Sequence, residues 1–246
     1  MFMVLGPSSS EVKKRIREAV WRILEERRVA TFPLPVKGRI PNFKGAEEAA
    51  ELLCRSREYS EARVVKVNPD SPQRRVRERC LLDGKTLIMP TPRIREGFII
   101  LDPSKIPRSH VKQAATIRGA FQLGQKISPE KLPAVDLIVI GSVAVSREGD
   151  RIGKGEGYAE LEYAILRTLG KVSEKTPIFT TIHPLQIVDK IPREPYDVTV
   201  DVIFTPSGEI ETAGERSRPS GIIWELLPKE KIEEIPILAQ LRRMRR

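Results

Sequence analysis

Aromatic residues make up only 5% of this sequence, and no basic run is interleaved with them. Stacking along single-stranded nucleic acid is therefore not expected. Only two cysteines occur, Cys54 and Cys80, far apart and without metal-ligand spacing. They are expected to be core thiols in a reducing compartment. No run of 18 apolar residues exists, and the opening Met-Phe-Met-Val-Leu-Gly lacks the basic and long apolar regions of a signal segment. The expectation is a cytoplasmic protein with no membrane partner. Asparagine occurs only at Asn42 and Asn68, against 20 prolines and 31% charged residues. That balance leans towards a thermophilic source.

What is abundant is positive charge. Lys and Arg number 43 against 33 Asp and Glu, a net charge of +10. Four of those charges sit at the C-terminus, Arg242, Arg243, Arg245 and Arg246, so residues 239–246 are set apart as a basic tail. The remainder, at about +6, suits an anionic small molecule as readily as nucleic acid. A chain of 246 residues buries a substantial core as one α/β domain, and no linker argues for two.

The rest of the chain is organised around residues 135–170. Val135-Asp-Leu-Ile-Val-Ile140 is a short β-branched apolar run, the pattern of a strand buried on both faces of a parallel sheet. Glycines follow at alternate positions, Gly153, Gly155 and Gly157. A helix comes next, with Tyr158, Leu161, Ile165 and Leu169 on one face and Gly170 at its end. A glycine loop opening into a helix offers unpaired N–H groups to an anion, and Arg151 and Lys154 add positive charge. The spacing is neither that of the Walker loop nor that of the dinucleotide loop. On spacing alone, a phosphate loop and a turn whose glycines serve only positive φ stay equally open. Glu156 and Glu160 suit a helix N-terminus, but they repel phosphate unless a cation lies between.

Earlier in the chain, Ser10 is placed to cap a helix over 11–28, with Lys13 and Arg17 four apart on one face. Read alone, that face is a solvated one. Thr31 to Gly45 is a long Pro- and Gly-rich loop whose Arg39, Asn42 and Lys44 either line a site or merely decorate a structural loop. A helix is expected over 46–57, a strand over 63–67, and a helix capped by Ser71 and running to Leu82. Strands are expected over 84–90, 98–101, 177–182 and 197–204, with a last one near Ile210 and an irregular stretch to Leu132. His183 closes one strand, where open α/β sheets keep ligands, although a lone His is more often structural. Strands alternating with helices predict a three-layer α/β/α sandwich around a mostly parallel sheet.

The wording of the central stretch carries a resemblance. Arg151-Ile-Gly-Lys-Gly-Glu-Gly-Tyr158 resembles R-L-G-x-G-x-G-Y-Y-D-R, the nucleotide loop of the 5-formyltetrahydrofolate cyclo-ligases (methenyltetrahydrofolate synthetases), whose fold is CoA-transferase-like. Lys13-Lys-Arg-Ile-Arg17 matches K-x-x-L-R. Gln186, Asp197, Asp201 and Thr205 match the closing Q…D…D…T. Arg39-Ile-Pro-Asn-Phe-Lys-Gly45, Lys66-Val-Asn-Pro-Asp70, Gly141-Ser-Val-Ala-Val145 and Thr199-Val-Asp201 extend the likeness to the methenyltetrahydrofolate synthetase domain-containing branch. The resemblance covers roughly residues 11 to 238.

It implies an ATP- and Mg2+-dependent ring closure of 5-formyltetrahydrofolate to 5,10-methenyltetrahydrofolate. Lys13, Arg17, Gly153, Lys154, Gly155, Glu156, Gly157 and Tyr158 would bind the nucleotide. Lys13, Arg151 and Glu160 would be catalytic, Glu160 would hold the metal, and Asp70 with Arg39 would meet the folate-like substrate. Departures accompany the match. Asp70 stands where the family has Glu, Ser146 where it has a metal-binding Asp, and Ala159 and Leu161 where it has Tyr and Arg. These differences lead to an expectation of slow or absent turnover with nucleotide binding kept, and of a Glu160→Gln change that spares thermal stability. Alternatives are a non-catalytic nucleotide- or RNA-binding paralogue and a kinase or ligase acting on another heterocycle.

Overall fold

The computed structural model describes residues 8–244, so residues 1–7, with the opening Met-Phe-Met-Val-Leu-Gly, and Arg245 and Arg246 lie outside the described residues. Helix α1 spans Ser9–Glu26. Its cap is Ser8 and not Ser10. Glu11 lies three residues after Ser8 and completes a reciprocal capping box, its N–H donating to Ser8 Oγ at 3.3 Å and its carboxylate accepting from Ser8 N at 3.0 Å.

Eight strands form the central sheet: β1 (Val64–Val67), β2 (Thr86–Pro90), β3 (Phe98–Leu101), β4 (Gln125–Ile127), β5 (Leu137–Val139), β6 (Ile178–Thr181), β7 (Val202–Thr205) and β8 (Gly208–Glu211). Their order is β8-β7-β6-β5-β1-β2-β3-β4. The five from β7 to β2 are parallel, and both edges are antiparallel. The short apolar strands obey the alternation of a pleated sheet buried on both faces. Val65, Val67, Leu137, Val139 and Phe179 pack with α2 (Ala46–Leu53) and α3 (Arg74–Leu82). The intervening Ile88, Ile138, Ile178 and Ile203 pack with α4 (Tyr158–Thr168) and α5 (Pro236–Met244). Helices on both faces give the three-layer architecture expected. A side unit packs α1 through Val20, Trp21 and Leu24 onto Val143, Ala144 and Ile152, in a small sheet of Ala144–Ser146, Arg151–Ile152 and Ile187–Val188.

Several boundaries differ from those expected. Ser71 begins a 3-10 turn and caps nothing, and α3 starts at Arg74. Helix α2 stops at Leu53, because Ser56 caps a separate short helix, Arg57–Glu61. Asp197 to Asp201 is not strand, and the strand begins at Val202; the Asp197 side chain pairs with Lys13 and accepts from Glu194 N. The irregular stretch before Leu132 supplies edge strand β4. Residues 239–244, set apart as tail, continue α5, where Leu241 is buried. Cys54 and Cys80 are buried free thiols, and burial pushes Cys54 up to about 12. His183 accepts from Leu185 N at 3.2 Å and meets the Phe43 ring edge-on, which is a structural role.

Candidate active site

The sheet order reverses between β1 and β5, and in open α/β sheets the crevice beyond the carboxyl ends of such strands is where ligands sit. The chain leaves β1 as Asn68-Pro69-Asp70 and β5 as Ile140-Gly141-Ser142. Asn68 N–H donates to Val139 O at 3.0 Å, which keeps the two exits together. A Cβ on Gly141 would lie 2.7 Å from Asp70 Oδ2 and 3.1 Å from Gln73 Oε1, so only glycine lets them approach.

Arg151 fills the crevice from the other side. Its side chain is fully buried. One guanidinium nitrogen donates to Gly141 O at 2.6 Å and another pairs with Glu160. Burial draws it down to about 10, opposed by the surrounding Asp197, Asp70 and Glu162. A buried guanidinium costs several kcal/mol unless acids compensate it, and here they come from several elements. Its Nε has no partner and is sealed from solvent.

The glycine loop runs over this cation. Each of its glycines backs onto a different positive group. A Cβ on Gly153 would lie 3.2 Å from Arg151 Nη1, one on Gly155 3.4 Å from Arg17 Cζ, and one on Gly157 3.5 Å from Lys231 Nζ. Gly155 (φ +107°) and Gly157 (φ +71°) also need the left-handed region, and Gly157 precedes α4 directly. The positive-φ reading of the spacing therefore holds for Gly155 and Gly157.

Two cavities flank the loop. The first, of about 370 Å³, is lined by Lys13, Arg17, Gly155, Tyr196 and Asp197. The second, of about 440 Å³, is lined by Arg39, Asp70, Arg93, Lys154, Tyr158 and Glu162. Arg151, Gly153, Glu156, Gly157 and Glu160 line both and form their common wall. The solvated reading of the α1 face fails for Lys13, which is 6% exposed and paired with Asp197. Arg17 Nε donates to Gly153 O at 2.8 Å, and burial lowers its pKa despite Asp197. Of the long-loop candidates, Arg39 reaches a cavity whereas Asn42 bonds Phe32 O and Lys44 is exposed.

Other participants were not singled out as site residues. Lys66 on β1 is buried and pairs with Glu162, which also accepts from Asn68 Nδ2 at 3.0 Å. Arg77 on α3 is buried and donates to the backbone carbonyls of Asn68 and Asp70, at 2.6 and 2.9 Å, holding the β1 exit. A charged residue inside an apolar strand was the available signal for Lys66. Arg77 had none, because a cation on a helix is ordinarily solvated. Ser146 is buried, bonds Asp150 and lines neither cavity, and Leu161 lines the first cavity with its side chain packed in the core.

Among the described residues no three His, Cys, Asp or Glu side chains converge as a metal cluster. Glu160 gives one oxygen to Arg151, and no bond of its other oxygen to a described residue is present. A hard cation such as Mg2+ fits there on that oxygen together with a ligand's phosphates, keeping its own waters.

Burial raises the Asp70 pKa, with Arg77 opposing. A carboxyl that holds its proton more tightly in the folded state favours folding at low pH, and this contribution is lost as pH rises from the ordinary carboxylate value through the raised one. Asp70→Asn is therefore expected to raise the melting temperature at neutral pH and to flatten its decline between acidic and neutral pH. Parallel melting curves for the two proteins check it.

The model of the 5-formyltetrahydrofolate cyclo-ligase family matches residues 9–206. The chain is 44% identical over 243 residues to the methenyltetrahydrofolate synthase domain-containing protein of Bos taurus, covering 97% of this chain and 64% of that protein. It is 43% identical over 235 residues to the Homo sapiens protein of that name, covering 94% and 61%. It thus spans a little under two thirds of the curated relatives it matches. The solved structure of Aquifex aeolicus 5,10-methenyltetrahydrofolate synthetase shares the fold, with a TM-score of 0.53 at 21% identity, over 84% of this chain and 95% of that one. The family match, which runs from the capped helix carrying Lys13 and Arg17 through the glycine loop to the end of β7, shows that the chain belongs to the 5-formyltetrahydrofolate cyclo-ligase family.

Proposed function

We propose that the protein binds Mg-ATP in the first cavity and a folate-like substrate in the second, and joins them in an ATP-dependent ring closure across their shared wall. The observation that carries this reading is the set of cations, Arg151, Arg17 and Lys231, against the glycines of a loop that borders both cavities. Phosphoryl transfer asks a protein mainly for charge neutralisation and positioning. Lys13, Arg17 and the loop amides hold the phosphates, and Mg2+ on Glu160 would offset charge on the transferring group. Asp70, Arg39 and Lys154 face the acceptor. In the reaction, the formyl oxygen of 5-formyltetrahydrofolate attacks the γ-phosphorus and ADP departs. N10 then attacks the activated carbon, the oxygen leaves as phosphate, which takes up the N10 proton, and 5,10-methenyltetrahydrofolate results as its cation. A formyl amide is a poor electrophile until its oxygen becomes such a leaving group.

Turnover on 5-formyltetrahydrofolate is expected to be slow. Ser146 bonds Asp150 away from both cavities, and Leu161 brings no charge, so fewer groups stabilise the transferring phosphoryl. The same departures favour the second reading, a nucleotide-binding relative without brisk catalysis. Following methenyl product optically with ATP, Mg2+ and 5-formyltetrahydrofolate, alongside calorimetry with Mg-ATP, tests both. Binding with slow product formation supports ring closure, binding without product supports the second reading, and no binding removes both.

A further inference from the structure

The family match ends at residue 206, yet the first cavity does not. A later segment, residues 219–231, closes it with Ile222, Ile223, Leu226 and Leu227, and ends on Lys231. The segment is pinned at both ends. Ile222 N–H donates to Thr168 Oγ1 at 3.0 Å, at the end of α4. Lys231 Nζ donates to Glu156 O of the glycine loop and stands 4.2 Å from the centre of the Tyr158 ring. Beyond it, Ile232, Ile235 and Leu238 are buried in the core that contains α4.

The cavity lining is chemically mixed. Lys13, Arg17 and Arg151 line it together with Asp197 and Glu160, which pair with Lys13 and Arg151, and the Tyr196 ring lies 5.7 Å from Lys13 Nζ. Residues 219–231 add the apolar groups Ile222, Ile223, Leu226 and Leu227, of which Leu226 is 52% exposed. Open apolar surface continuous with an anion site fits a ligand that is charged at one end and flat and apolar at the other.

Building on the nucleotide reading, we infer that residues 219–231 form the base-recognising wall of the nucleotide site, with Leu226 covering the face of a heteroaromatic base and Lys231 positioning the glycine loop against the polyphosphate. Lys231 is held by the loop carbonyl of Glu156 and is partly buried, so an arriving polyphosphate would add a counter-charge beside it. Burial lowers its pKa, with Glu156 and Glu234 opposing. The arm thus makes nucleotide selectivity a property of the segment outside the family match.

Calorimetry with Mg-ATP and with magnesium tripolyphosphate, which has no base, separates the two roles. Leu226→Ser is expected to weaken ATP about five- to tenfold and leave tripolyphosphate unchanged, the loss of roughly half a leucine's burial. Lys231→Met is expected to weaken both about tenfold, with Lys231→Arg restoring most of it. Leu226 is half-exposed, so its variant should fold, and melting curves check this. Equal ATP binding by Leu226→Ser, or equal losses for ATP and tripolyphosphate, overturns the base wall. Unchanged tripolyphosphate binding by Lys231→Met overturns the role of that lysine. If the wild type binds neither ligand, the nucleotide reading itself falls, a result distinct from any failure of the variants.

Discussion

Glu160→Gln is expected to destabilise the fold by about 3 kcal/mol, lowering the melting temperature by on the order of 10 °C, and to abolish magnesium-dependent ATP binding. The stability loss follows from Arg151. Its side chain is fully buried, and Glu160 is the acid in contact with it. Glutamine retains an acceptor but removes the counter-charge, leaving a guanidinium that cannot find water. Asp197, Asp70 and Glu162 act on Arg151 from further away and offset part of the cost. The expectation drawn from sequence, that this change greatly weakens magnesium-dependent ATP binding but spares stability, took Glu160 as a metal ligand with no cationic partner in the fold. Thermal melts with and without Mg-ATP decide between the two views. A variant that melts with the wild type would mean that the more distant acids suffice for Arg151.

Arg17→Ala is expected to weaken Mg-ATP roughly 10- to 100-fold, because a charge-assisted phosphate contact contributes about 1.5–3 kcal/mol. The side chain already spans from α1 to the loop carbonyl of Gly153, so its entropy of ordering is spent before a ligand arrives. The fold should tolerate the loss, since Arg17 is only partly buried and makes no buried ion pair. Lys14 and Arg15 provide the control. They lie on the same helix but are exposed and line neither cavity. Substituting either with Ala should leave affinity unchanged within about twofold, as surface charges are largely screened. Equal affinities for Arg17→Ala and wild type would remove Arg17 from the phosphate site. Equal losses for all three would show a general charge effect.

Local chemistry was legible wherever a segment's own pattern decided its structure. The β-branched run at 135–140, the glycine loop and the helix after it all stand where periodicity and turn residues put them. Element ends were read less well, because caps depend on a reciprocal contact such as Ser8 with Glu11, and one candidate serine resembles another. The charges were hardest to read. Lys13 and Lys14 are neighbours of identical type, yet one is buried on Asp197 and the other is exposed, a difference set by which face of α1 meets the side sheet. Lys66 and Glu162 are 96 residues apart and find each other only because β1 lies beneath α4.

The sequence by itself determined the alternating α/β architecture, the glycine loop and the family, since these rest on spacings of a few residues and on contiguous motifs. Only the tertiary structure decided that the loop is a wall between two cavities, and that its glycines face cations from α1, the side sheet and the C-terminal arm. It also decided that Arg151 is the buried hub holding the wall together. The physical reason is that burial and ion pairing depend on distances through space, and the sheet reversal at β1 and β5 brings to one crevice residues that the chain keeps far apart.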